Sequence, residues 1–185
     1  MKFLRFSIII FISLTTSIKA DLNKNLINQL EDGGKLIFIR HAYAPGNGDP
    51  NNFNLNDCST QRNLNSIGQK QAKDIGEFFR GNKIKIYKVL SSEWCRCKET
   101  ADIAFKDFST NSFLNSFYSP KFKKNKDKQV EELNNYVKKF KSNKNLIFVT
   151  HYVLISEVLN YGPSSGEIVV SDNNFNIVGT VKIDY

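Results

Sequence analysis

Two six-residue stretches of this 185-residue chain are nearly identical, and they constrain its fold more than any other feature. Residues 36–41 are LIFIRH and residues 146–151 are LIFVTH. Each begins with a short apolar run of the kind that is typical of a strand buried on both faces. Such strands occur in parallel sheets that helices cover on either side. The two stretches therefore predict two buried strands of an α/β protein.

Helical and strand-like segments alternate along the rest of the chain. The spacing of apolar residues predicts helices over residues 21–32, 66–80, 93–105, 127–140 and 153–159, with Ser66 as an N-cap and Gly81 as a terminator. Strands are predicted over residues 35–39, 84–90 and 145–149, with an antiparallel pair at 167–171 and 176–183 and a short strand at Phe113 and Leu114. Residues 42–60 are predicted to form a long loop. This alternation predicts a three-layer α/β/α sandwich with a mainly parallel sheet.

The first twenty residues have the features of a secretory signal peptide. A basic start with Lys2 and Arg5 precedes an apolar stretch at residues 6–14, and Ala20 stands where cleavage is expected. We expect residues 1–20 to be removed, residues 21–185 to form a single domain, and the protein to be periplasmic or secreted, without stable membrane insertion. An uncleaved anchor is the alternative, although the apolar stretch is short for a bilayer.

The charge balance favours an anionic small molecule or surface as the partner. The chain has a formal net charge of +8, and residues 21–185 carry 23 basic against 18 acidic side chains, a net charge of +5. Nucleic acid is a weaker candidate, because asparagine and aspartate interrupt the lysine-rich run at residues 121–128.

Three cysteines allow at most one internal disulfide. Cys95 and Cys97 are two residues apart, a spacing that does not share one helix face. An oxidising compartment would permit a disulfide between Cys58 and one of them. Buried free thiols are an equally good interpretation. Zinc is not expected, because no Cys-x-x-Cys pair or neighbouring histidine accompanies these residues.

His41 and His151 are the only histidines in the chain, and each directly follows one of the two apolar stretches. In open α/β sheets, ligands bind outside the carboxyl ends of the strands. Two structural histidines would be the alternative, but their matching positions favour a functional site. A metal site is not expected, because no carboxylate-rich pattern accompanies them.

Arginine and serine side chains are expected at the same edge of the sheet. Arg40 adjoins His41, and Arg96 follows the second predicted strand, just after Ser91 and Ser92. The planar guanidinium group matches phosphate oxygens, and the start of a helix favours anions. The combination predicts a cationic pocket for a phosphoryl group.

These residues lie in segments that resemble the histidine phosphatase superfamily, whose fold is phosphoglycerate mutase-like. Arg40 and His41 are similar to its RH motif, and residues 149–151 (VTH) resemble the segment with its second catalytic histidine. Three further segments resemble the family and occur in the family's order. Residues 61–72 (QRNLNSIGQKQA) resemble a helix entry, and residues 91–101 (SSEWCRCKETA) follow a Ser-x-x-x-Arg-x-x-x-Thr-Ala pattern. Residues 166–171 (GEIVVS) resemble a strand that lies near the end of the chain in the exported branches of the family.

The resemblance implies a role for each basic residue. His41 would be the nucleophile that becomes a phosphohistidine, and Arg40, Arg96 and His151 would hold the phosphoryl oxygens. Arg62 is a further candidate for phosphate binding; a surface arginine is the other interpretation. Neither a metal nor a cofactor is expected, because guanidinium and imidazole groups supply the positive charge.

The sequence departs from the family pattern at the proton donor to the leaving group. Tyr152 follows the second histidine, where one branch of the family has aspartate. The candidates that remain are Asp57, Glu93 and Glu167. A missing acid would favour substrates with good leaving groups, such as phosphohistidine or a phosphoanhydride, and would weaken a mutase interpretation.

The sequence therefore predicts an exported, metal-independent phosphohydrolase that cleaves phosphate monoesters through a phosphohistidine. The alternatives are a phosphotransferase or mutase, and a non-catalytic protein that binds a phosphate-containing ligand. The substrate would be a small organic phosphate or a phosphorylated component of the cell envelope. The short connection before the second histidine leaves no room for a cap domain, so we expect an open pocket with residues 42–60 as its lid.

Overall fold

A computed structural model describes residues 24–185 of the chain. The strands are β1 Leu36–Arg40, β2 Ile86–Ser91, β3 Ser109–Thr110, β4 Asn145–Thr150, β5 Ile168–Ser171 and β6 Ile177–Val181. The helices are α1 (residues 24–32), α2 Ser66–Gly81, α3 Cys95–Phe105, α4 Pro120–Lys123, α5 Lys126–Lys138 and α6 Tyr152–Leu159, with 3₁₀ turns at Cys58–Thr60 and Ser112–Leu114. The predicted signal peptide lies outside the described residues. Within residues 24–185, no helix is long and apolar enough to cross a membrane.

One six-stranded sheet forms the centre of the fold, in the order β3-β2-β4-β1-β5-β6. Strands β1 to β4 pair in parallel, whereas β5 runs antiparallel to β1 and β6 antiparallel to β5. This arrangement confirms the predicted mainly parallel sheet and the antiparallel pair at its edge.

Alternate residues of the central strands face two separate cores. On β1, Ile37 and Ile39 pack on the side that contains Leu30 of α1, Ile75 of α2 and Ala101 of α3. Leu36 and Phe38 pack on the opposite side, with Leu133 of α5 and Leu154 of α6. Burial on both faces explains why the strands are continuous apolar runs, and it gives the three layers that the sequence predicts.

Helix α2 begins and ends one residue away from the predicted signals. Its N-cap is Asn65, not Ser66, because the Asn65 side chain accepts a hydrogen bond from the backbone N–H of Gly68. Gly81 is the last helical residue and Asn82 the C-cap. Gly68 also has a packing role, since a Cβ there would lie 1.9 Å from the carbonyl oxygen of Tyr43, just after His41.

The segment between α3 and α5 differs most from the prediction. Phe113 and Leu114 lie in a 3₁₀ turn instead of a strand, because both side chains are buried against the α5 side of the sheet. The Asn111 side chain stabilises that turn by accepting a hydrogen bond from the N–H of Phe113. Strand β3 and the short helix α4 have no counterpart in the prediction.

The sheet register brings the expected site residues to one edge. β1 pairs with β4 so that Arg40 stands opposite Thr150, and the N–H of His41 donates to the carbonyl of Thr150 at 2.9 Å. On the other side of β4, the N–H of Ser92 donates to the carbonyl of Val149 at 2.9 Å. The carboxyl ends of three parallel strands therefore meet at one place.

Candidate active site

A cavity of about 340 Å³ opens at the carboxyl ends of β1, β2 and β4. Its floor is basic, with Arg40, His41, Arg62, Arg96 and His151 all contributing. The walls come from the loop after β1, from the segment around α4, and from the starts of α3 and α6: Asn47, Gly48, Asp49, Pro50, Asn51, Phe53, Trp94, Ser116, Tyr118, Ser119, Lys121, Phe122, Tyr152 and Val153. The structure thus brings together every basic residue that the sequence predicts for the site.

His41 is almost completely buried, with 2% of its surface exposed. Its Nδ1 lies 2.8 Å from the carbonyl oxygen of Ala42. A carbonyl can only accept, so Nδ1 carries the proton and Nε2 holds the lone pair, which accepts from Arg96 Nε at 3.2 Å. Burial, followed by the positive charge of Arg96, lowers the pKa of His41 well below its usual value. The ring is therefore neutral, with a nucleophilic nitrogen on Nε2.

His151 faces His41 across the floor of the cavity. The two ring centroids are 5.5 Å apart, and Nδ1 of His151 lies 3.5 Å from Nη2 of Arg96. Burial is the main cause that lowers the pKa of His151 well below its usual value, and Arg96 and His41 add to it. Both imidazoles are therefore neutral.

A chain of hydrogen bonds fixes the tautomer of His151. Asn115 Nδ2 donates to Glu93 Oε2 at 2.6 Å, which leaves Asn115 Oδ1 to accept from Ser92 Oγ at 3.0 Å. The Ser92 hydroxyl has only this one proton to donate, so its oxygen accepts from Nε2 of His151 at 2.9 Å. Nδ1 of His151 then presents its lone pair towards Arg96.

This chain corrects two expectations drawn from the sequence. The sequence predicts that Ser91 and Ser92 supply donors to an anion, but Ser92 orients His151 and Ser91 Oγ donates to the carbonyl of Ser92 at 2.9 Å. Glu93 is one of the candidate acids, but its carboxylate is bound to Asn115 and does not line the cavity.

Arg96 lies between the two histidines and uses all of its N–H groups. Nε donates to Nε2 of His41 at 3.2 Å, and Nη2 approaches Nδ1 of His151. Nη1 and Nη2 donate to the carboxylate oxygens of Asp49 at 2.7 and 3.3 Å, and a longer contact of 3.4 Å joins Nη1 to the Arg62 carbonyl. Only 4% of the Arg96 side chain is exposed. Its position at the first turn of α3 follows directly from the end of β2.

Arg40 and Arg62 complete the positive lining. Arg40 Nη1 donates to the carbonyl of Pro163 at 2.9 Å, its guanidinium lies over the ring of Tyr152, and its buried Nε has no partner within the described residues. Arg62 Nε donates to the carbonyl of Gly48 at 2.8 Å, and its Nη1 to that of Ala44. Arg62 is therefore a cavity residue, not a surface residue of the loop.

The other two candidate acids also lie outside the cavity. Glu167 is 1% exposed, and its carboxylate accepts hydrogen bonds from the Tyr161 hydroxyl at 2.6 Å and the Ser164 N–H at 2.7 Å. Asp57 caps an exposed 3₁₀ turn by accepting from Ser59. Neither residue lines the cavity, so the structure does not bring any of the three predicted acids to this cavity.

Sequence reasoning missed Asp49 and the aromatic wall. Asp49 is the one carboxylate that lines this cavity among residues 24–185, but the segment Gly48-Asp49-Pro50 has only the pattern of a turn. Phe53, Trp94 and Phe122 pack with ring centroids 5.0 to 5.6 Å apart and bring α4 to the rim. Phe122 lies in a lysine-rich run that the sequence could not distinguish from a solvated loop.

A disulfide joins the loop after β1 to the start of α3. Cys58 is bonded to Cys95, which immediately precedes Arg96. Of the two interpretations that the sequence allows, the disulfide is therefore correct for Cys58 and Cys95. Cys97 is free and buried, with its sulfur 3.5 Å from Nε2 of His151. Burial raises the pKa of the Cys97 thiol to about 12, so the thiol remains protonated.

Comparison with known proteins agrees with this geometry. The model of the histidine phosphatase superfamily (branch 1) matches residues 36–115, from β1 to just beyond the Ser112–Leu114 turn. This match supports the assignment to the histidine phosphatase superfamily that the sequence resemblance implied, and with it a phosphatase or mutase type of function. No curated protein sequence matches the chain.

Several solved structures share the fold. The protein histidine phosphatase SixA, complexed with tungstate, is 14% identical with a TM-score of 0.54, covering 77% of this chain and 92% of its own. The putative phosphohistidine phosphatase SixA from Agrobacterium tumefaciens is 16% identical with a TM-score of 0.55, covering 80% and 97%. Phosphoglycerate mutase from Thermus thermophilus is 16% identical with a TM-score of 0.58, covering 81% and 99%. At these identities the likeness concerns the fold.

Proposed function

We propose that this protein is a metal-independent phosphatase that hydrolyses phosphate monoesters through a phosphohistidine on His41. The placement of Arg96 between two buried, neutral imidazoles carries this proposal. A tetrahedral phosphoryl group seated on that floor would meet a nucleophile, guanidinium donors and a second imidazole at once.

The first step transfers the phosphoryl group to the enzyme. The Nε2 lone pair of His41 attacks phosphorus, the N–P bond forms, and the bond to the leaving oxygen breaks. Arg40, Arg62 and Arg96 offset the charge on the phosphoryl oxygens in the transition state. The unpartnered Nε–H of Arg40 supports this role, because a buried donor without an acceptor is costly until an anion supplies one.

The second step releases phosphate. Water attacks phosphorus as the N–P bond breaks, and His41 returns to its neutral form with the lone pair on Nε2. The carbonyl of Ala42 keeps the proton on Nδ1 throughout, so the same nitrogen is ready for the next cycle.

His151 changes its role when an anion enters. Its neutral ring presents the Nδ1 lone pair to the cavity, which would repel a phosphoryl oxygen. A dianion within hydrogen-bond distance favours the protonated ring, so Nδ1 gains a proton and becomes a donor. Ser92 remains the acceptor for Nε2–H in both forms.

We propose substrates that are small organic phosphates or phosphorylated components of the cell envelope. The exposed rings of Tyr118 and Tyr152 flank the opening and leave room for a leaving group. Phosphohistidine is a second candidate substrate, because its leaving group needs little protonation and the structurally similar SixA is described as a protein histidine phosphatase.

Export is part of the same proposal. The basic, apolar and small-residue pattern of residues 1–20 supports it, and so does the Cys58–Cys95 disulfide, since such bonds persist in oxidising compartments. Mass spectrometry of the protein from a periplasmic or secreted fraction tests it. A mature chain that begins near Asp21 is expected, whereas a full-length chain in the membrane fraction would favour an uncleaved anchor.

Turnover of p-nitrophenyl phosphate by wild type and His41→Ala tests the nucleophile. We expect kcat to fall by about 10³-fold or more, the scale of removing a covalent nucleophile. Arg80→Lys is the matched control, because Arg80 of α2 binds the Ala104 carbonyl, away from the cavity. Unchanged turnover in His41→Ala would refute the assignment.

A phosphoenzyme trap separates the enzyme from its alternatives. After alkaline quenching, mass spectrometry is expected to locate an acid-labile phosphate on His41 in wild type and in His151→Asn. Phosphate transferred mainly to an added alcohol instead of water would indicate a phosphotransferase or mutase. Tight tungstate binding without turnover or a phosphoenzyme would indicate a binding protein.

A further inference from the structure

The carboxylate of Asp49 occupies the part of Arg96 that a phosphoryl group would need. Its Oδ1 accepts from Arg96 Nη1 at 2.7 Å, and its Oδ2 accepts from Nη2 at 3.3 Å. A guanidinium fork binds a carboxylate and a phosphate in the same two-point geometry. The Asp49 carboxylate therefore occupies the anion-binding side of Arg96 on the floor of the cavity.

Two further N–H groups bind the Asp49 carboxylate. Oδ1 also accepts from the backbone N–H of Arg62 at 3.1 Å, and Oδ2 accepts from the indole N–H of Trp94 at 3.2 Å. Burial alone would raise the pKa of Asp49, but the hydrogen bonds and charge of Arg96 outweigh it and lower that pKa. While it is paired with Arg96, Asp49 is thus an ionised acceptor.

Contacts on both sides of Asp49 fix the loop that carries it. Arg62 Nε donates to the carbonyl of Gly48 at 2.8 Å, Phe53 stacks on Trp94, and Cys58 is bonded to Cys95. Any movement of the Asp49 carboxylate is therefore expected to be a rotation of its side chain.

We propose that an incoming phosphoryl group displaces Asp49 from Arg96, and that the released carboxyl group then acts as the proton donor to the leaving oxygen. This inference rests on the proposed phosphatase function. Once separated from Arg96 and next to a dianion, the carboxyl group takes up a proton from water, since both changes favour its neutral form.

The proton balance closes over the two steps. As the N–P bond to His41 forms and the P–O bond breaks, Asp49 gives its proton to the leaving oxygen. As water then attacks phosphorus and the N–P bond breaks, the Asp49 carboxylate takes the proton of that water. After phosphate is released, Asp49 gives this proton back to water, and the carboxylate returns to Arg96.

The leaving-group dependence of turnover tests the proton donor. Asp49→Asn keeps the shape of the side chain but has no proton to give. We expect its kcat/KM for glycerol 2-phosphate to fall about 100-fold or more, and for p-nitrophenyl phosphate less than about fivefold, because only the alkoxide needs a proton. Asp49→Glu is expected to restore part of the alkyl phosphate activity. Asp57→Asn, which removes the same charge from the same loop outside the cavity, is expected to behave like wild type.

Tungstate affinity tests the displacement. Without a competing carboxylate, Asp49→Asn is expected to bind tungstate about tenfold more tightly, while Asp57→Asn binds it like wild type. Unchanged or weaker binding in Asp49→Asn would overturn the displacement.

The outcomes also separate this inference from the proposed function. An equal loss on alkyl and aryl phosphates would make Asp49 a residue that only positions Arg96 and would overturn its role as proton donor. Wild type without turnover would overturn the proposed function and the proton donor with it. An active wild type together with an equally active Asp49→Asn would overturn the role of Asp49 alone.

Discussion

Nε of Arg96 lies 3.2 Å from Nε2 of His41, while Nη2 of the same guanidinium lies 3.5 Å from Nδ1 of His151. One fixed positive charge therefore sits against both imidazoles. Because both rings are buried, and because a proton on either would add a second cation beside Arg96, the pKa of each is lowered and both rings are held neutral. Nε2 of His41, the proposed nucleophile, thus keeps its lone pair at a pH where a free histidine would be partly protonated.

This arrangement predicts that stability decreases as the pH falls. The pKa values of His41 and His151 are lowered in the folded state, so the unfolded chain binds more protons below the usual histidine pKa of about 6.5. The full stability is present above that pH and decreases progressively as the pH falls from there towards the lowered pKa values of the folded state. At pH 5.5 we expect each histidine to cost about 1.4 kcal/mol of unfolding free energy.

Urea unfolding at pH 7.5 and pH 5.5 measures this loss. The matched control is the double variant His41→Asn/His151→Asn, which carries no titrating imidazole and is expected to lose less stability over the same interval. Equal losses in wild type and the double variant would contradict the assignment of two neutral histidines.

The shape of the Arg96 guanidinium is predicted to matter as much as its charge. Arg96→Lys keeps the charge but cannot contact His41, His151 and Asp49 together. We expect kcat for p-nitrophenyl phosphate to fall about 10²- to 10³-fold, the scale of losing a transition-state donor. Arg80→Lys, the same change outside the cavity, is expected to retain activity. Equal activity in both variants would contradict a role of Arg96 in the reaction.

The orientation of His151 is predicted to depend on Ser92. Ser92→Ala leaves Nε2–H of His151 without its 2.9 Å acceptor, so the tautomer with the proton on Nδ1 becomes accessible. We expect kcat/KM to fall about tenfold and its pH profile to shift, since residues that orient a functional histidine have effects of this size. Ser91→Ala is the control, because Ser91 Oγ contacts the Ser92 carbonyl and neither histidine. A pH profile like that of wild type in Ser92→Ala would contradict the hydrogen-bond chain.

The strands and the basic residues of the site were predictable because each depends on local sequence. An apolar run followed by histidine fixes both the strand and the position of the side chain at its carboxyl end, which holds for His41 and His151. The resemblance to the histidine phosphatase superfamily added Arg62 and a role for Arg96, and the structure places both at the cavity.

The positions of Asp49 and of the aromatic wall could not be predicted from the sequence. They depend on how the loop after β1 and the segment around α4 pack against the cavity. Asp49, Asp57 and Glu93 are all polar residues near turns, and no periodic pattern distinguishes the one that meets Arg96. Glu167 lies in a family-like segment, but its side chain turns towards Tyr161. Likewise, Phe122 reaches Trp94 only because α4 follows the Ser112–Leu114 turn, which the pattern of apolar residues does not reveal.

The disulfide is predicted to stabilise the fold and to hold the cavity wall. Cys58 and Cys95 are 37 residues apart, a loop for which chain-entropy models give about 4 kcal/mol of stabilisation. We expect the double variant Cys58→Ser/Cys95→Ser to lose about 2 to 4 kcal/mol in urea unfolding under oxidising conditions. Wild type in reductant is the matched control and is expected to show the same loss.

Turnover separates the two consequences of that bond. Because Cys95 adjoins Arg96, and Cys58 ends the loop that carries Asp49, loosening the bond is expected to raise KM for p-nitrophenyl phosphate more than it lowers kcat. His41 and its contact with Ala42 lie at the end of β1, away from the bond, so the nucleophile itself remains in place. A loss of kcat without a change in KM would show that the disulfide acts on the chemistry of the histidines instead of the wall of the cavity.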